Sequence, residues 1–134
     1  MARELTLRLI TPEHIPVDTT VSAVTVPALD GEIGILPRHA PLIAALDTGI
    51  VRYTAGASEH EVFVDGGFAQ VRGDTVRVLS PVGEPKAEID LERAREAERR
   101  ARERLAVRGA AVDVPRAEGA LRRALLRQRL KGER

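Results

Sequence analysis

The sequence predicts an all-β sandwich over residues 1–85, followed by an antiparallel two-helix hairpin over residues 86–134. Up to residue 85, short runs of alternating apolar and polar residues are separated by turns at roughly 8–12-residue intervals, as in sandwiches and barrels. Beyond residue 85, apolar residues recur at the helical spacings of three and four. The net charge also changes sign at this boundary, from −5 (6 basic, 11 acidic residues) to +6 (15 basic, 9 acidic).

The strands of the first part are short. Leu5, Leu7 and Leu9 alternate with polar residues, which predicts a half-buried strand. Residues 29–31 (Leu-Asp-Gly) and 72–74 (Arg-Gly-Asp) have the composition of tight turns. We expect Pro27 to close the second strand and the strand at 76–79 to be the last. The predicted strands cover residues 5–9, 24–26, 33–36, 50–53, 62–64, 68–71 and 76–79.

A capping signal marks the start of each helix in the second part. Asp90 and Asp113 precede helical patterns, and an aspartate side chain at this position accepts a hydrogen bond from the first turn. Pro115 falls in the first turn of the second helix, where a missing N–H costs little. We expect the first helix to end at residues 108–109, Arg-Gly. The first predicted buried face is Leu91, Ala94, Ala97 (or Glu98), Ala101 and Leu105; the second is Ala117, Ala120, Leu121, Ala124, Leu125 and Gln128.

The seam between these helices is mostly alanine. Alanine allows close approach but buries little apolar area, so at roughly 25 cal/mol per Å² the seam stabilises the hairpin by only a few kcal/mol. Helices of this length are also marginal in water when isolated. One interpretation is a mobile element that opens and binds elsewhere. The other is a permanently folded hairpin with a solvated basic face.

The composition excludes several kinds of site. The chain has no cysteine, which excludes disulfides and thiolate metal sites. His14, His39 and His60 lack metal-ligand spacing, and no phosphate-binding glycine loop is present. Aromatic residues make up 2% of the chain, which argues against stacking on nucleic-acid bases. We therefore predict no catalytic site, and we expect a soluble cytoplasmic protein that reaches a membrane only through a protein partner.

Residues 31–42 (Gly-Glu-Ile-Gly-Ile-Leu-Pro-Arg-His-Ala-Pro-Leu) form the densest irregular motif. Two glycines and two prolines fix the backbone, so Glu32, Arg38 and His39 are expected to project from a rigid scaffold, as at many interaction surfaces. The alternative is a sandwich corner turned by glycine and proline.

The motif closely resembles that of the epsilon subunits of bacterial F-type ATP synthases. Gly49-Ile50-Val51-Arg52, the Gly66-Gly67 pair and residues 90–94 (Asp-Leu-Glu-Arg-Ala) extend the resemblance over essentially the whole chain. It implies a sandwich of about ten strands followed by the two-helix hairpin. It also implies a non-catalytic central-stalk subunit that couples proton-driven rotation to the catalytic head.

For the sandwich, the resemblance implies docking on the gamma subunit and on the polar loops of the c-ring. The interface it implies contains Glu32, Arg38, His39, Pro41 and Leu42. A sandwich of net charge −5 suits basic ring loops. The implied location is peripheral, on the cytoplasmic face of the bacterial inner membrane.

For the hairpin, the resemblance implies an inhibitory switch that reaches acidic segments of the alpha and beta subunits and blocks ATP hydrolysis. It implies no required cofactor, but ATP as a regulatory ligand. In that site Asp90 would accept from the adenine amino group, and the arginines would face phosphates or the base. The alternatives are that Asp90 is only a cap, that the arginines are solvated, and that Arg122 replaces Arg123. The implied nucleotide-binding residues are Ile89, Asp90, Arg93, Ala94, Arg123 and Arg127.

Two other functions would fit parts of the sequence. The hairpin alone would serve in a free-standing nucleotide-sensing adaptor, and an arginine-rich tail would serve in a nucleic-acid-binding protein. The second leaves residues 31–42 unexplained, and neither accounts for the whole chain.

Overall fold

The computed structural model describes residues 4–107 and 112–132. The chain divides into two units, Met1–Lys86 and Ala87–Arg134. A 3₁₀ turn at Lys86–Glu88 precedes the two helices, α1 (Leu91–Ala106) and α2 (Val114–Lys131). The strands are β1 (Leu5–Ile10), β2 (Val17–Val21), β3 (Ala23–Ala28), β4 (Gly31–Ile35), β5 (Leu42–Ala45), β6 (Thr48–Ala55), β7 (Ser58–Asp65), β8 (Phe68–Arg72), β9 (Thr75–Leu79) and β10 (Gly83–Pro85).

The first unit contains two five-stranded sheets, ordered β2-β1-β9-β8-β5 and β10-β7-β6-β3-β4. The strand pairings are antiparallel except for that of β1 with β9, which is parallel. Alternate residues of the strands meet in one aliphatic core. Its buried members are Leu5, Leu7, Leu9, Val17, Val21, Val24, Val26, Ile35, Leu46, Val51, Val62, Val64, Ala69, Val71, Val76 and Val78.

The strand predictions were incomplete in two respects. The expectation that 76–79 is the last strand is wrong, because β10 follows and pairs with β7. The expectation that Pro27 closes its strand is also wrong, because β3 continues to Ala28. Pro27 is tolerated there because β3 pairs with β6 only at Ala23–Thr25. Its carbonyl oxygen instead accepts a hydrogen bond from the Asp47 N–H at 2.8 Å.

Backbone geometry explains why the second residue of the Gly66-Gly67 pair before β8 is glycine. Gly67 has φ +94°, and a Cβ there would lie 1.9 Å from the Leu79 carbonyl oxygen. Its own carbonyl oxygen accepts from the Leu46 N–H at 2.8 Å. This turn therefore lets three segments of backbone approach closely where β5 and β8 begin to pair.

The caps of both helices are confirmed. The Asp90 carboxylate accepts from the Arg93 N–H, and the Asp113 carboxylate accepts from the Arg116 N–H, each at 3.1 Å. Pro115 lies in the first turn of α2. Helix α1 ends at Ala106, and the predicted stop at 108–109 lies outside the described residues.

The buried faces of the helices are largely those predicted. Ala94 and Ala101 of α1 and Ala117 and Ala124 of α2 are buried, at intervals of seven residues. The placement of Leu125 on the buried face is wrong: it is 38% exposed. Leu130 of α2, six residues after Ala124, is buried instead.

Candidate docking and regulatory surfaces

The loop between β4 and β5 is fixed by its own backbone. The His39 N–H donates to the Leu36 carbonyl oxygen at 3.1 Å, and Arg38 adopts a left-handed φ of +69°. The His39 Nδ1 lies 2.7 Å from the Ala40 carbonyl oxygen, so Nδ1 carries the proton and donates. Arg38 and Pro41 are exposed, whereas His39 and Leu42 are half-buried. The loop thus presents a positive side chain from a rigid turn.

Glu32 lies on β4 and belongs to a three-member ion-pair group. Arg52 of β6 donates from Nη1 to the Glu32 carboxylate at 2.8 Å and from Nε to the Glu61 carboxylate at 3.2 Å. The Arg52 guanidinium thereby joins a carboxylate of β7, the strand next to β6, to a carboxylate of β4, which lies beyond β3. The Glu32 side chain remains 59% exposed. The site prediction did not include Arg52, although the sequence motif at 49–52 ends on it.

Around strands β4 and β5 the sandwich exposes large apolar side chains, which together we call the apolar corner: Leu29, Leu36, Ile43 and Phe68. Ile43 is 72% exposed and Leu36 62%. Ala45 connects Leu29 and Phe68. Its carbonyl oxygen accepts from the Leu29 N–H at 3.0 Å, and it lies opposite Phe68 in the β5–β8 register. Sequence reasoning missed this corner. The only signal was the absence of a polar residue from Leu42 to Ala45.

The predicted nucleotide-binding residues of α1 differ in accessibility. Ile89 and Ala94 are buried, whereas Asp90 and Arg93 are exposed. The Asp90 carboxylate is already engaged by the Arg93 N–H as the helix cap. Asp90 and Arg93 are therefore the two that a ligand in solvent can reach.

The C-terminal half of α2 packs beside the first turns of α1. Gln128 donates from Nε2 to the Glu98 carboxylate at 2.7 Å and lies 3.5 Å from the Ala94 carbonyl oxygen. Arg127, next to Gln128, is half-buried and so belongs to this end of the hairpin. Arg123 is half-buried as well, and its Nη1 lies 3.3 Å from where a Cβ on Gly119 would be. Arg122 is exposed.

The two helices differ in their charge. Helix α1 carries six basic and four acidic residues, and Arg99 pairs with both Glu96 and Glu103. Helix α2 carries six basic residues and one acidic residue, Glu118. The excess positive charge of the hairpin therefore lies mainly on α2.

Hydrogen bonds from Gln128 and Arg102 lower the pKa of Glu98, and the hydrogen bond from Arg99 lowers the pKa of Glu96.

The described residues contain neither a metal site nor a membrane-spanning helix. Within residues 4–107 and 112–132, no group of three or more His, Asp or Glu side chains is arranged to hold a metal ion. In the same ranges, neither helix has the length and apolar character needed to cross a membrane.

The described residues thus form a two-unit protein: a ten-stranded sandwich that exposes large apolar side chains, and a helical hairpin whose second helix is strongly basic. The chain matches two family descriptions. Residues 4–86 match the ATP synthase delta/epsilon chain beta-sandwich domain, and residues 87–132 match the ATP synthase delta/epsilon chain long alpha-helix domain.

Similarity to individual proteins supports the same family. The ATP synthase epsilon chain of Nitratidesulfovibrio vulgaris (strain Hildenborough) is 42% identical over 98% of both chains. That of Carboxydothermus hydrogenoformans is 48% identical over 81% of both. A chain of the Euglena gracilis mitochondrial ATP synthase, in a structure of its OSCP/F1/c-ring, superposes with a TM-score of 0.79 at 26% identity, covering 91% of this chain and 78% of that one.

The chain therefore belongs to the ATP synthase epsilon chain family. The family resemblance seen in the sequence and the predicted fold, a sandwich of ten strands followed by two helices, are confirmed.

Proposed function

We propose that this subunit works in the central stalk of an F-type ATP synthase, with its sandwich docked on the gamma subunit and on the polar loops of the c-ring. It transmits rotation and carries out no chemistry itself. It lies on the cytoplasmic face of the bacterial inner membrane, held there by its partners.

The apolar corner is the observation that supports docking. A set of large apolar side chains around β4 and β5 faces solvent, with Ile43 at 72% and Leu36 at 62% exposure, and such an exposed apolar surface is typical of a protein interface. Arg38, His39, Pro41 and Leu42 lie in or beside the loop that borders this corner, and Glu32 lies on the preceding strand. We therefore assign the gamma and c-ring contacts to this corner and its loop.

The test is binding to the purified gamma subunit of the same organism. Ile43→Asp should weaken binding at least tenfold, because it places a charge in the centre of an apolar contact. The matched control is Ala57→Asp, which adds the same charge at the exposed β6–β7 turn, at the other end of β6 from Thr48. Equal binding by wild type and Ile43→Asp would remove the corner from the interface.

We further propose that the hairpin inhibits ATP hydrolysis through α2, by contact with acidic segments of the alpha and beta subunits. The support is the uneven charge of the helices: α1 arginines pair with α1 glutamates, whereas α2 has one acidic residue for six basic ones. Arg122 and Arg129, seven residues apart, are exposed on either side of Leu125. Such a stripe complements an acidic, partly apolar surface.

Charge reversal tests which helix makes the contact. Epsilon-depleted F1 is mixed with saturating wild-type or variant protein, and its ATPase rate is measured. Arg129→Glu should relieve most of the inhibition, whereas Arg104→Glu, the same change on α1, should relieve little. The opposite ranking would assign the inhibitory contact to α1.

We also propose ATP as a regulatory ligand that favours the folded hairpin. The support is the joint presence of Asp90 and Arg93 on the first turn of α1 and of Arg127 beside Gln128, which contacts α1 at 2.7 Å. Guanidinium groups suit phosphate oxygens. Arg123 joins them on the same face of α2, four residues before Arg127.

Calorimetric titration with ATP and Mg²⁺ tests this site. Arg93→Ala and Arg123→Ala should weaken binding, and Arg116→Ala, at the opposite end of α2, should not. Asp90→Asn separates helix capping from ATP binding, because asparagine still caps a helix but has no carboxylate. No heat with wild type up to millimolar ATP would leave Asp90 as a cap alone.

A further inference from the structure

The outward face of the β2-β1-β9-β8-β5 sheet has its own charge pattern. Along β1, Leu5, Leu7 and Leu9 are buried in the core, so Arg8 and Ile10 point to the other side. By the same alternation β9 presents Arg77 and Leu79 outward, and β8 presents Phe68, Gln70 and Arg72. We call the set Arg8, Arg72 and Arg77 the guanidinium face.

Two of these arginines are direct neighbours. Arg8 lies opposite Arg77 in the β1–β9 register, and Arg77 lies opposite Gln70 in the β9–β8 register. Like charges opposite one another destabilise a sheet. On the other side, Arg8 is opposite Asp18 of β2, the one acidic side chain in register with this row among the described residues.

Asp18 compensates this row only weakly. The Arg8 Nε lies 3.5 Å from the Asp18 carboxylate, is itself buried, and makes no hydrogen bond among the described residues. Arg72 and Arg77 are exposed and form no ion pair with any described residue. In a unit whose residues 1–85 carry a net charge of −5, three arginines thus share one sheet face, and among the described residues Asp18 is the one carboxylate that is ion-paired with them.

An apolar depression adjoins the guanidinium face. Its volume is about 410 Å³, and Ile10, Pro12, Phe68, Leu79 and Pro81 are among its lining residues. Ile10, Leu79 and Phe68 form the next row of the same sheet face, two residues along each strand from Arg8, Arg77 and Gln70. The face therefore combines an apolar depression with a row of positive charge that Asp18 matches only in part.

We propose that this face binds an acidic segment of the gamma subunit, with apolar side chains in the depression and carboxylates paired with Arg77, Arg72 and Arg8. The inference rests on the proposed docking to gamma. It adds which surface of this chain makes the contact and what charge the gamma segment carries. Charge complementarity selects an acidic occupant. The apolar row beside the arginines selects a protein segment that presents both kinds of side chain. Through Phe68 this surface is continuous with the apolar corner.

The experiment measures the affinity of the full-length protein for the purified gamma subunit at low and high salt. Arg77→Glu should weaken binding roughly tenfold or more at low salt and should reduce the salt dependence, because it replaces attraction by repulsion. Arg77 is exposed on β9, so the variant should keep the wild-type circular dichroism spectrum. The matched control, Ala57→Glu with Ser58→Glu, changes the net charge equally at the β6–β7 turn of the other sheet and should bind as wild type.

The outcomes separate the two proposals. Weakened binding by Arg77→Glu alone supports the acidic segment. Wild-type affinity for Arg77→Glu overturns this inference and leaves docking on gamma intact. Equal weakening by the control assigns the effect to net charge and also overturns it. Failure of wild-type protein to bind gamma overturns the proposed docking and this inference together.

Discussion

The sandwich and the hairpin are stabilised by different kinds of contact. The sandwich buries sixteen aliphatic side chains, nearly all leucine, valine or isoleucine. Each such side chain contributes about 1.5–3 kcal/mol when fully buried, whereas an alanine methyl contributes roughly 0.8 kcal/mol. The buried residues of the two helices are four alanines and Leu130.

This difference indicates a division of work. A core of that size is sufficient to keep the sandwich folded on its own, which suits the docking role that we propose for it. We expect a seam of methyl groups to leave a folded and an open hairpin only a few kcal/mol apart, a difference that partners or ligands could overcome. Substitutions in one region should therefore leave the stability of the other unchanged.

The largest effect is expected in the sandwich, for Gly67→Ala. A Cβ at 1.9 Å from the Leu79 carbonyl oxygen forces backbone movement, and the φ of +94° adds strain. We expect a loss of about 3 kcal/mol or more in the free energy of urea unfolding of the sandwich. The control is Gly73→Ala, which has φ +60° but open space around the new methyl, and should lose only about 1–2 kcal/mol. Equal losses would mean that the close approach at Gly67 relaxes freely.

The next effect is expected in the hairpin, for Ala124→Leu. Ala124 is fully buried, so a larger side chain overpacks the seam and should destabilise the hairpin by about 1–3 kcal/mol. Amide hydrogen exchange should become faster in α1 and α2 and stay unchanged in the strands. Ala106→Leu, at the exposed end of α1, should change neither. Faster exchange in the strands would show that the two regions are not independent.

The sequence predicted the parts of the fold that follow from strong local signals. Alternating Leu5, Leu7 and Leu9 defined β1, and Asp90 and Asp113 defined the helix starts. Strands β2, β5 and β10 were not identified from the residues because they carry weak signals: β2 is Val-Asp-Thr-Thr-Val, β5 is half alanine, and β10 contains glycine and proline. Their pairing partners, rather than their own propensity, make them strands.

The candidate sites were less predictable, because they depend on contacts between distant segments. The exposed charges Glu32 and Arg38 followed from the motif, but the Arg52 bridge between Glu32 and Glu61 needs the strand register. The phase of α2 at Leu125 was also wrong by a fraction of a turn. A strip of alanines leaves that phase poorly defined, since alanine is tolerated on either face of a helix.

A smaller effect is expected for Gln128→Ala. The Gln128 side chain donates across the seam to the Glu98 carboxylate at 2.7 Å, and losing this hydrogen bond to a charged group should cost about 1.5 kcal/mol. The hairpin should open more often, as seen by energy transfer between labels on cysteines introduced at the exposed positions Arg93 and Arg129 of this cysteine-free chain. The matched control is Arg122→Ala, an exposed residue of the same helix. No change in energy transfer would show that the alanine seam alone sets the closed state.

The smallest effect is a pH dependence of the same hairpin. Gln128 and Arg102 lower the pKa of Glu98 in the folded hairpin, so its carboxylate stabilises the folded form above the unfolded pKa of about 4.3. This stabilisation is lost as the pH falls below that value and through the lowered folded pKa, and the labelled hairpin should open on acidification.

Glu96 titrates in the same range, because Arg99 lowers its pKa, but both residues belong to α1. Protonating Glu96 weakens only contacts within α1, whereas protonating Glu98 also weakens the hydrogen bond that joins the helices. Glu98→Gln should therefore flatten the pH dependence of the energy transfer more than Glu96→Gln does. An equal response of the two variants would assign the acid sensitivity to the helicity of α1 rather than to the closing of the hairpin.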